Sequence, residues 1–112
     1  MDEKIILEKH KIENIVRYMP EGENLKTLSE FFSAFSDSTR LKILTALSVC
    51  EMCVNDIATI LNINQTTVSH QLKILKSLKL VDFRKEGKLT FYFLSSKCVN
   101  EVMLGGVNYL IG

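Results

Sequence analysis

Residues 55 to 78 read NDIATILNINQTTVSHQLKILKSL, and this stretch decides the fold. Its first part places apolar side chains at helical spacing, and Asn55 stands where it can cap a short helix. The three residues Asn62-Ile63-Asn64 interrupt that helix, and a further helix is expected from Gln65 to Leu78. Two helices joined by a three-residue turn predict a helix-turn-helix.

The solvent-facing side of the second of these helices carries short hydrogen-bonding side chains instead of the Glu, Lys and Ala that an ordinary surface helix prefers. Such side chains reach base edges and phosphate oxygens without blocking close approach to a DNA groove. We interpret this face as a DNA-reading surface formed by Gln65, Thr66, Thr67, Ser69, His70 and Lys73. The alternative interpretation is that the threonines only cap the helix and that His70 is an ordinary solvated residue.

From Val81 the apolar residues alternate, which predicts a β-hairpin. The alternating apolar residues are Val81, Phe83, Leu89, Phe91 and Phe93. At the tip, Gly87 supplies the positive φ of a tight turn, and the bases there are well placed to meet phosphates. We therefore interpret the hairpin as a basic wing that carries Arg84, Lys85 and Lys88.

Amphipathic helices are expected on both sides of this unit. Residues 4–19 show helical apolar spacing before the stop at Pro20, and a second stripe runs from Leu25 to Phe35. Asp37 stands at the N-cap position of a third helix, and a final helix is expected from Ser96.

The 112 residues include 14 Lys and Arg, 13 Asp and Glu, and 46% hydrophobic residues, as expected for one globular domain over 1–112. Such a length is too short for a second domain or a deep closed substrate cavity. Neither an apolar run of about 20 residues nor a readable signal peptide is present, so we expect no membrane partner and a cytoplasmic location.

The charge is unevenly distributed along the chain. Residues 62–88 hold six bases and two acids, whereas residues 1–30 hold five bases and seven acids. A basic segment inside a nearly neutral protein is a modest sign of a polyanion partner. An enzyme is not expected, because no acidic residue is spaced to orient His70 as a base.

Four segments resemble the ArsR/SmtB-type family of winged helix-turn-helix metalloregulatory repressors. They are DSTRLKIL at 37–44, EMCVNDIA at 51–58, QTTVSHQLKILKSLKLV at 65–81 and FRKEGKLTFYFL at 83–94. The resemblance implies a homodimer, joined through its first and last helices, that leaves an inverted-repeat operator when a metal ion, metalloid or thiol-reactive species binds. It assigns base and phosphate contacts to Gln65, Thr66, Ser69 and His70, and wing contacts to Arg84, Lys85 and Lys88.

The expected sensor departs from the family's patterns. Members that bind soft metals at the fourth helix commonly read Glu-Leu-Cys-Val-Cys-Asp, whereas residues 51–56 read EMCVND, so Asn55 replaces the second thiolate. The family's alternative zinc site on the C-terminal helix uses Asp, His, His and Glu. None of these ligand types is kept at the corresponding positions, which hold Ser96, Cys98, Tyr109 and Gly112.

Three cysteines remain as sensor candidates, Cys50, Cys53 and Cys98, with His10 as an additional metal ligand. Without export signals, reduced thiols are their default state. Three interpretations stay open: a site for a soft metal or metalloid as effector, a redox pair of Cys50 or Cys53 with Cys98, and inert buried thiols. A winged-helix module that binds a protein instead of DNA is the remaining alternative function.

Overall fold

A computed structural model describes residues 4 to 112, which form six α-helices and one two-stranded hairpin. In chain order they are α1 Lys9–Tyr18, α2 Gly22–Ser33, α3 Ser38–Val49, α4 Val54–Leu61, α5 Gln65–Ser77, β1 Val81–Glu86, β2 Leu89–Leu94 and α6 Lys97–Ile111. A 3-10 turn over Ala34–Ser36 joins α2 to α3. The predicted fold, mainly helical with a winged helix-turn-helix, is confirmed.

The hydrophobic core lies where α3, α4 and α5 meet the hairpin and α6. The large side chains that are fully buried there are Ile43, Leu44, Ile57, Val68, Leu72, Leu75, Leu80 and Val81. Each such side chain stabilises the fold by about 1.5 to 3 kcal/mol relative to an exposed one. The predicted inward face of α5 is confirmed, because its buried residues are Val68, Leu72 and Leu75.

Side-chain caps define where three of the helices begin. Asp37 accepts a hydrogen bond from the backbone N–H of Arg40 at 2.9 Å, as predicted for the start of α3. The side chain of Asn64 accepts a hydrogen bond from the backbone N–H of Thr66 at 2.7 Å and so caps α5. The alternative interpretation had assigned this capping role to the threonines. Ser96 caps α6.

The prediction that Asn55 caps α4 is wrong. This helix begins at Val54 with Cys53 at its N-cap, and Cys53 makes no side-chain capping bond. Asn55 therefore lies inside the first turn of α4, and its carboxamide is free to contact another element.

The turn between α4 and α5 comprises residues 62–64, as predicted from the sequence. Asn62 adopts the left-handed conformation, with φ 54° and ψ 50°, and it ends α4. The N–H of Ile63 returns to the carbonyl of Ala58 at 2.9 Å. These features hold α4 and α5 in a fixed relation, which a helix-turn-helix requires.

The alternating apolar residues of the two strands lie on opposite faces of the hairpin. Val81 pairs with Leu94, and Phe83 pairs with Tyr92, and cross-strand partners share one face of a sheet. Leu94 and Tyr92 pack against the core, so Leu89, Phe91 and Phe93 lie on the opposite face. The tight turn itself is confirmed, because Gly87 has a φ of +60°.

Helix α1 is shorter than predicted, since residues 4–8 are not helical and α1 begins at Lys9. None of the residues of α1 is buried, although Ile15 and Val16 are apolar. The chain measures 63 × 33 × 23 Å, and its radius of gyration is 18.6 Å. This radius is larger than the value of about 13 Å for a compact chain of this length.

Among residues 4 to 112, no helix is both long and apolar enough to cross a membrane.

Candidate nucleic-acid interface

The polar face of α5 is open to solvent. Its residues at helical spacing i, i+3, i+4 and i+7 are Thr66, Ser69, His70 and Lys73, and all four are exposed. Gln65 and Thr67 are exposed as well. Since the opposite face of α5 is buried in the core, the helix is rigidly seated and presents this polar face outward.

A side-chain pair that the sequence did not predict links α5 to α3. The Nε of Arg40 donates a hydrogen bond to Oε1 of Gln71 at 3.1 Å, and both side chains are partly buried. The same guanidinium nitrogen lies 3.9 Å from the carboxylate of Asp37. The cap of α3 is thereby connected to the middle of α5.

A second unpredicted contact joins the two helices of the helix-turn-helix. The Nε2 of Gln65 donates to Oδ1 of Asn55 at 2.5 Å, and both residues are exposed. Gln65 is the first residue of α5, where helical side chains point back toward the N-terminus and hence toward α4. The carboxamide of Gln65 is therefore held at the edge of the polar face.

The wing carries three exposed bases, but they have different surroundings. Arg84 forms ion pairs with Glu51 and Glu86 and lies over the ring of Phe91 at 5.3 Å. The pKa of the Arg84 guanidinium is raised above its ordinary value. The hydrogen bond to Glu51 is the main cause, and the hydrogen bond to Glu86 is the second. Lys85 and Lys88 have no ion pair within residues 4–112, so they supply the wing's uncompensated positive charge.

The wing is attached to the segment that precedes α4. Met52 and Tyr92 exchange backbone hydrogen bonds of 3.2 and 2.8 Å, and Met52 is buried. The ion pair of Glu51 with Arg84 lies beside this bridge. Lys76 of α5 lies 5.2 Å from the ring centre of Phe83 on β1. The hairpin is thus braced against both α5 and residues 50–53.

The sensor candidates occupy separate elements. Cys50 is exposed at the end of α3, Cys53 is half-buried at the start of α4, and Cys98 is exposed in α6. His10 lies on α1, with its Nδ1 at 3.1 Å from a carboxylate oxygen of Glu8. Over residues 4 to 112, no three His, Cys, Asp or Glu side chains are grouped so that they could hold a metal ion.

A helix-turn-helix with an exposed polar second helix, followed by a braced basic hairpin, defines a winged helix-turn-helix regulator of the kind that binds DNA. The family model described as bacterial regulatory protein, arsR family, matches residues 37–82. This match and the sequence relatives described below show that the chain belongs to the ArsR/SmtB family of transcriptional regulators.

Curated relatives cover most of the chain. The transcriptional repressor SmtB homolog of Synechocystis sp. is 37% identical over 91 residues, which is 79% of this chain and 69% of that protein. The cadmium resistance transcriptional regulatory protein CadC of Listeria innocua is 44% identical over 84 residues, covering 74% and 71%.

Among solved structures, the homodimeric winged helix-turn-helix DNA-binding domain of Mb0332 from Mycobacterium bovis superposes with a TM-score of 0.70 at 28% identity. The superposition covers 95% of this chain and 90% of that one. The relatives are transcriptional regulators, and the neighbouring structure is a dimer.

Proposed function

We propose that this chain is a sequence-specific repressor that binds double-stranded DNA. The observation that carries the proposal is the exposed polar face of α5 together with two exposed lysines of the wing, Lys85 and Lys88. In this arrangement α5 lies in the major groove, where Gln65, Thr66, Thr67, Ser69 and His70 reach base edges and nearby phosphates. Lys73 and the wing bases Arg84, Lys85 and Lys88 meet the phosphate backbone.

The binding unit is a homodimer in this proposal. Apolar residues of α1 and α6 are exposed, among them Val16 at 65% and Leu110 at 80%. An apolar groove of about 270 Å³ lies between α2, α3 and α6, and Leu110 is one of its lining residues. The homodimeric relative from Mycobacterium bovis supports the same assembly. A two-fold dimer presents its α5 helices to half-sites about 34 to 36 Å apart, which calls for an inverted-repeat operator.

A signal at the cysteines releases the operator. The names of the relatives, which include cadmium and arsenical resistance regulators, support a soft metal or metalloid as this signal. Because the cysteines of one protomer lie on separate elements, a site with three thiolates needs ligands from both protomers. Cys50 and Cys53 flank the two residues that contact the wing, Glu51 and Met52, and so a change at either thiol reaches the DNA-binding elements directly.

Alanine substitutions on α5 test the DNA interface. Ser69→Ala and His70→Ala are each expected to weaken operator binding by about 2- to 10-fold per half-site, since each removes one hydrogen-bonding group. Binding is measured by fluorescence anisotropy on a duplex taken from upstream of the protein's own gene. Ser29→Ala, which alters an exposed serine of α2, is the matched control and should leave binding unchanged. If both α5 variants bind like the wild type, α5 is not the reading helix.

The signal is tested on the reduced, metal-free protein. Cd(II), Pb(II), As(III) and an oxidant that converts two thiols to a disulfide are added separately to the protein on its operator. One of them is expected to weaken binding by about 5- to 150-fold, the usual range of coupling between two sites. Cys53→Ser should still bind the operator but lose the response. If none of the additions weakens operator binding, the thiols are inert. The proposed DNA-binding function is not contradicted by that result. No DNA binding at all would favour a protein partner.

A further inference from the structure

The contact between Asn55 and Gln65 bears on which base the protein reads. A glutamine carboxamide recognises adenine by accepting from the N6 amino group through Oε1 and donating to N7 through Nε2. A carboxamide that turns over presents the reverse pattern, which does not match adenine. Any group that distinguishes the two ends of Gln65 therefore affects sequence specificity.

We propose that Asn55 is a positioning residue that holds the Gln65 carboxamide in the orientation that reads adenine, one adenine in each half-site. The proposal rests on the proposed function, in which Gln65 faces the major groove. Asn55 acts through Gln65 and needs no contact with DNA of its own.

The hydrogen-bonding groups are sufficient for both contacts. Nε2 of Gln65 carries two N–H bonds, and one of them donates to Oδ1 of Asn55 at 2.5 Å. The second N–H and Oε1 remain available along the other edge of the amide, and these are the two groups that adenine requires. Asn55 turns Oδ1, and not its amino group, toward Gln65, and in this orientation the acceptor oxygen selects the nitrogen end of Gln65 to face α4.

The frame around this pair is fixed by one side-chain cap and one backbone hydrogen bond. Asn64 caps α5 through Thr66, and Ile63 hydrogen-bonds back to Ala58 of α4. The two residues of the pair are thus anchored on helices whose relative position does not depend on their own hydrogen bond. Loss of the acceptor at Asn55 is therefore expected to free the carboxamide of Gln65 without disturbing the fold.

The test compares base discrimination in full-length variants. Wild type, Asn55→Ala and Gln65→Ala are titrated on a set of duplexes in which each base pair of the bound upstream site is replaced in turn. In the wild type, replacing the adenine that Gln65 reads should cost about 5- to 150-fold in affinity. Gln65→Ala should lose this preference, and Asn55→Ala should lose most of it at the same base pair only. The salt dependence of binding should not change, because no phosphate contact is removed.

Two further variants separate positioning from a general effect on affinity. Asn55→Asp keeps an acceptor oxygen and should retain the adenine preference, although its negative charge lowers affinity for all duplexes. Thr59→Ala, at an exposed position of α4, is the matched control and should behave like the wild type.

Several outcomes would overturn the proposal. One is that Asn55→Ala weakens every duplex equally and leaves the pattern of preferences intact. Another is that Asn55→Asp loses the preference as fully as Asn55→Ala. A third is that Gln65→Ala changes no preference while the wild type still selects its site, which leaves the proposed function standing. If the wild type itself shows no sequence preference, the proposed function fails together with this inference.

Discussion

Raising the salt concentration from about 50 to about 200 mM is expected to weaken binding of the wild-type dimer to its operator by about 1000-fold. Lys73, Lys85 and Lys88 are exposed, and in two protomers they supply six phosphate contacts. Each contact releases condensed counterions and contributes about −0.9 to the slope of log affinity against log salt, so the total slope is about −5. Arg84 also lies on the wing that meets the phosphates, but its ion pairs with Glu51 and Glu86 offset its charge, so we assign it no share of the slope.

Charge variants identify which lysines produce the slope. Lys85→Gln should reduce its magnitude by about one unit for each half-site and weaken operator and unrelated duplexes alike. Lys97→Gln removes the same charge from an exposed position at the start of α6 and should leave the slope unchanged. Anisotropy titrations at four or more salt concentrations give these slopes. A flat salt profile, or equal effects of the two variants, would be incompatible with the wing as a phosphate-binding element.

The helix-turn-helix and the wing could be predicted from local sequence signals. The apolar spacing of α5 identified its buried face, the asparagines marked the turn, and Gly87 marked the tip of the hairpin. Each of these signals depends on residues close together in the chain, and their physical meaning is the same in most folds. Local patterns were therefore sufficient for the elements that carry the DNA-binding face.

The features that the sequence did not predict depend on longer-range packing. Arg84 meets Glu51 across 33 positions of the chain, and Gln65 meets Asn55 across ten. No local pattern signals such side-chain pairs. On β2, both faces are rich in apolar or aromatic residues, so alternation alone could not select Tyr92 and Leu94 as the inward ones. Only the pairing of Val81 with Leu94 settles the face.

The apolar periodicity of residues 4–19 did not predict where α1 begins. Its apolar spacing extends back to Ile5, yet the helix begins at Lys9. A short isolated helix gains little from its own hydrogen bonds and needs an apolar surface to pack on. In the single chain that surface is missing, since no residue of α1 is buried. The length and stability of α1 are therefore expected to depend on a second protomer.

Disruption of the α1 surface should abolish dimerisation and tight operator binding together. Val16→Asp places a carboxylate on the exposed apolar face of α1, where desolvating it at an interface is costly. The monomer that results can occupy only one half-site at a time. Losing the second, linked binding event is expected to lower operator affinity by about 10²- to 10⁴-fold.

Sedimentation velocity measures the oligomeric state, and anisotropy on the same samples measures operator affinity. Asn14→Asp adds the same charge to the same helix outside the apolar stripe, and it should remain dimeric and bind normally. A duplex that holds a single half-site adds a further control, because wild type and Val16→Asp should bind it with similar affinity per α5 helix. If Val16→Asp stays dimeric and keeps its operator affinity, the subunit interface does not include this face of α1. The exposed apolar residues of α1 would then need another partner.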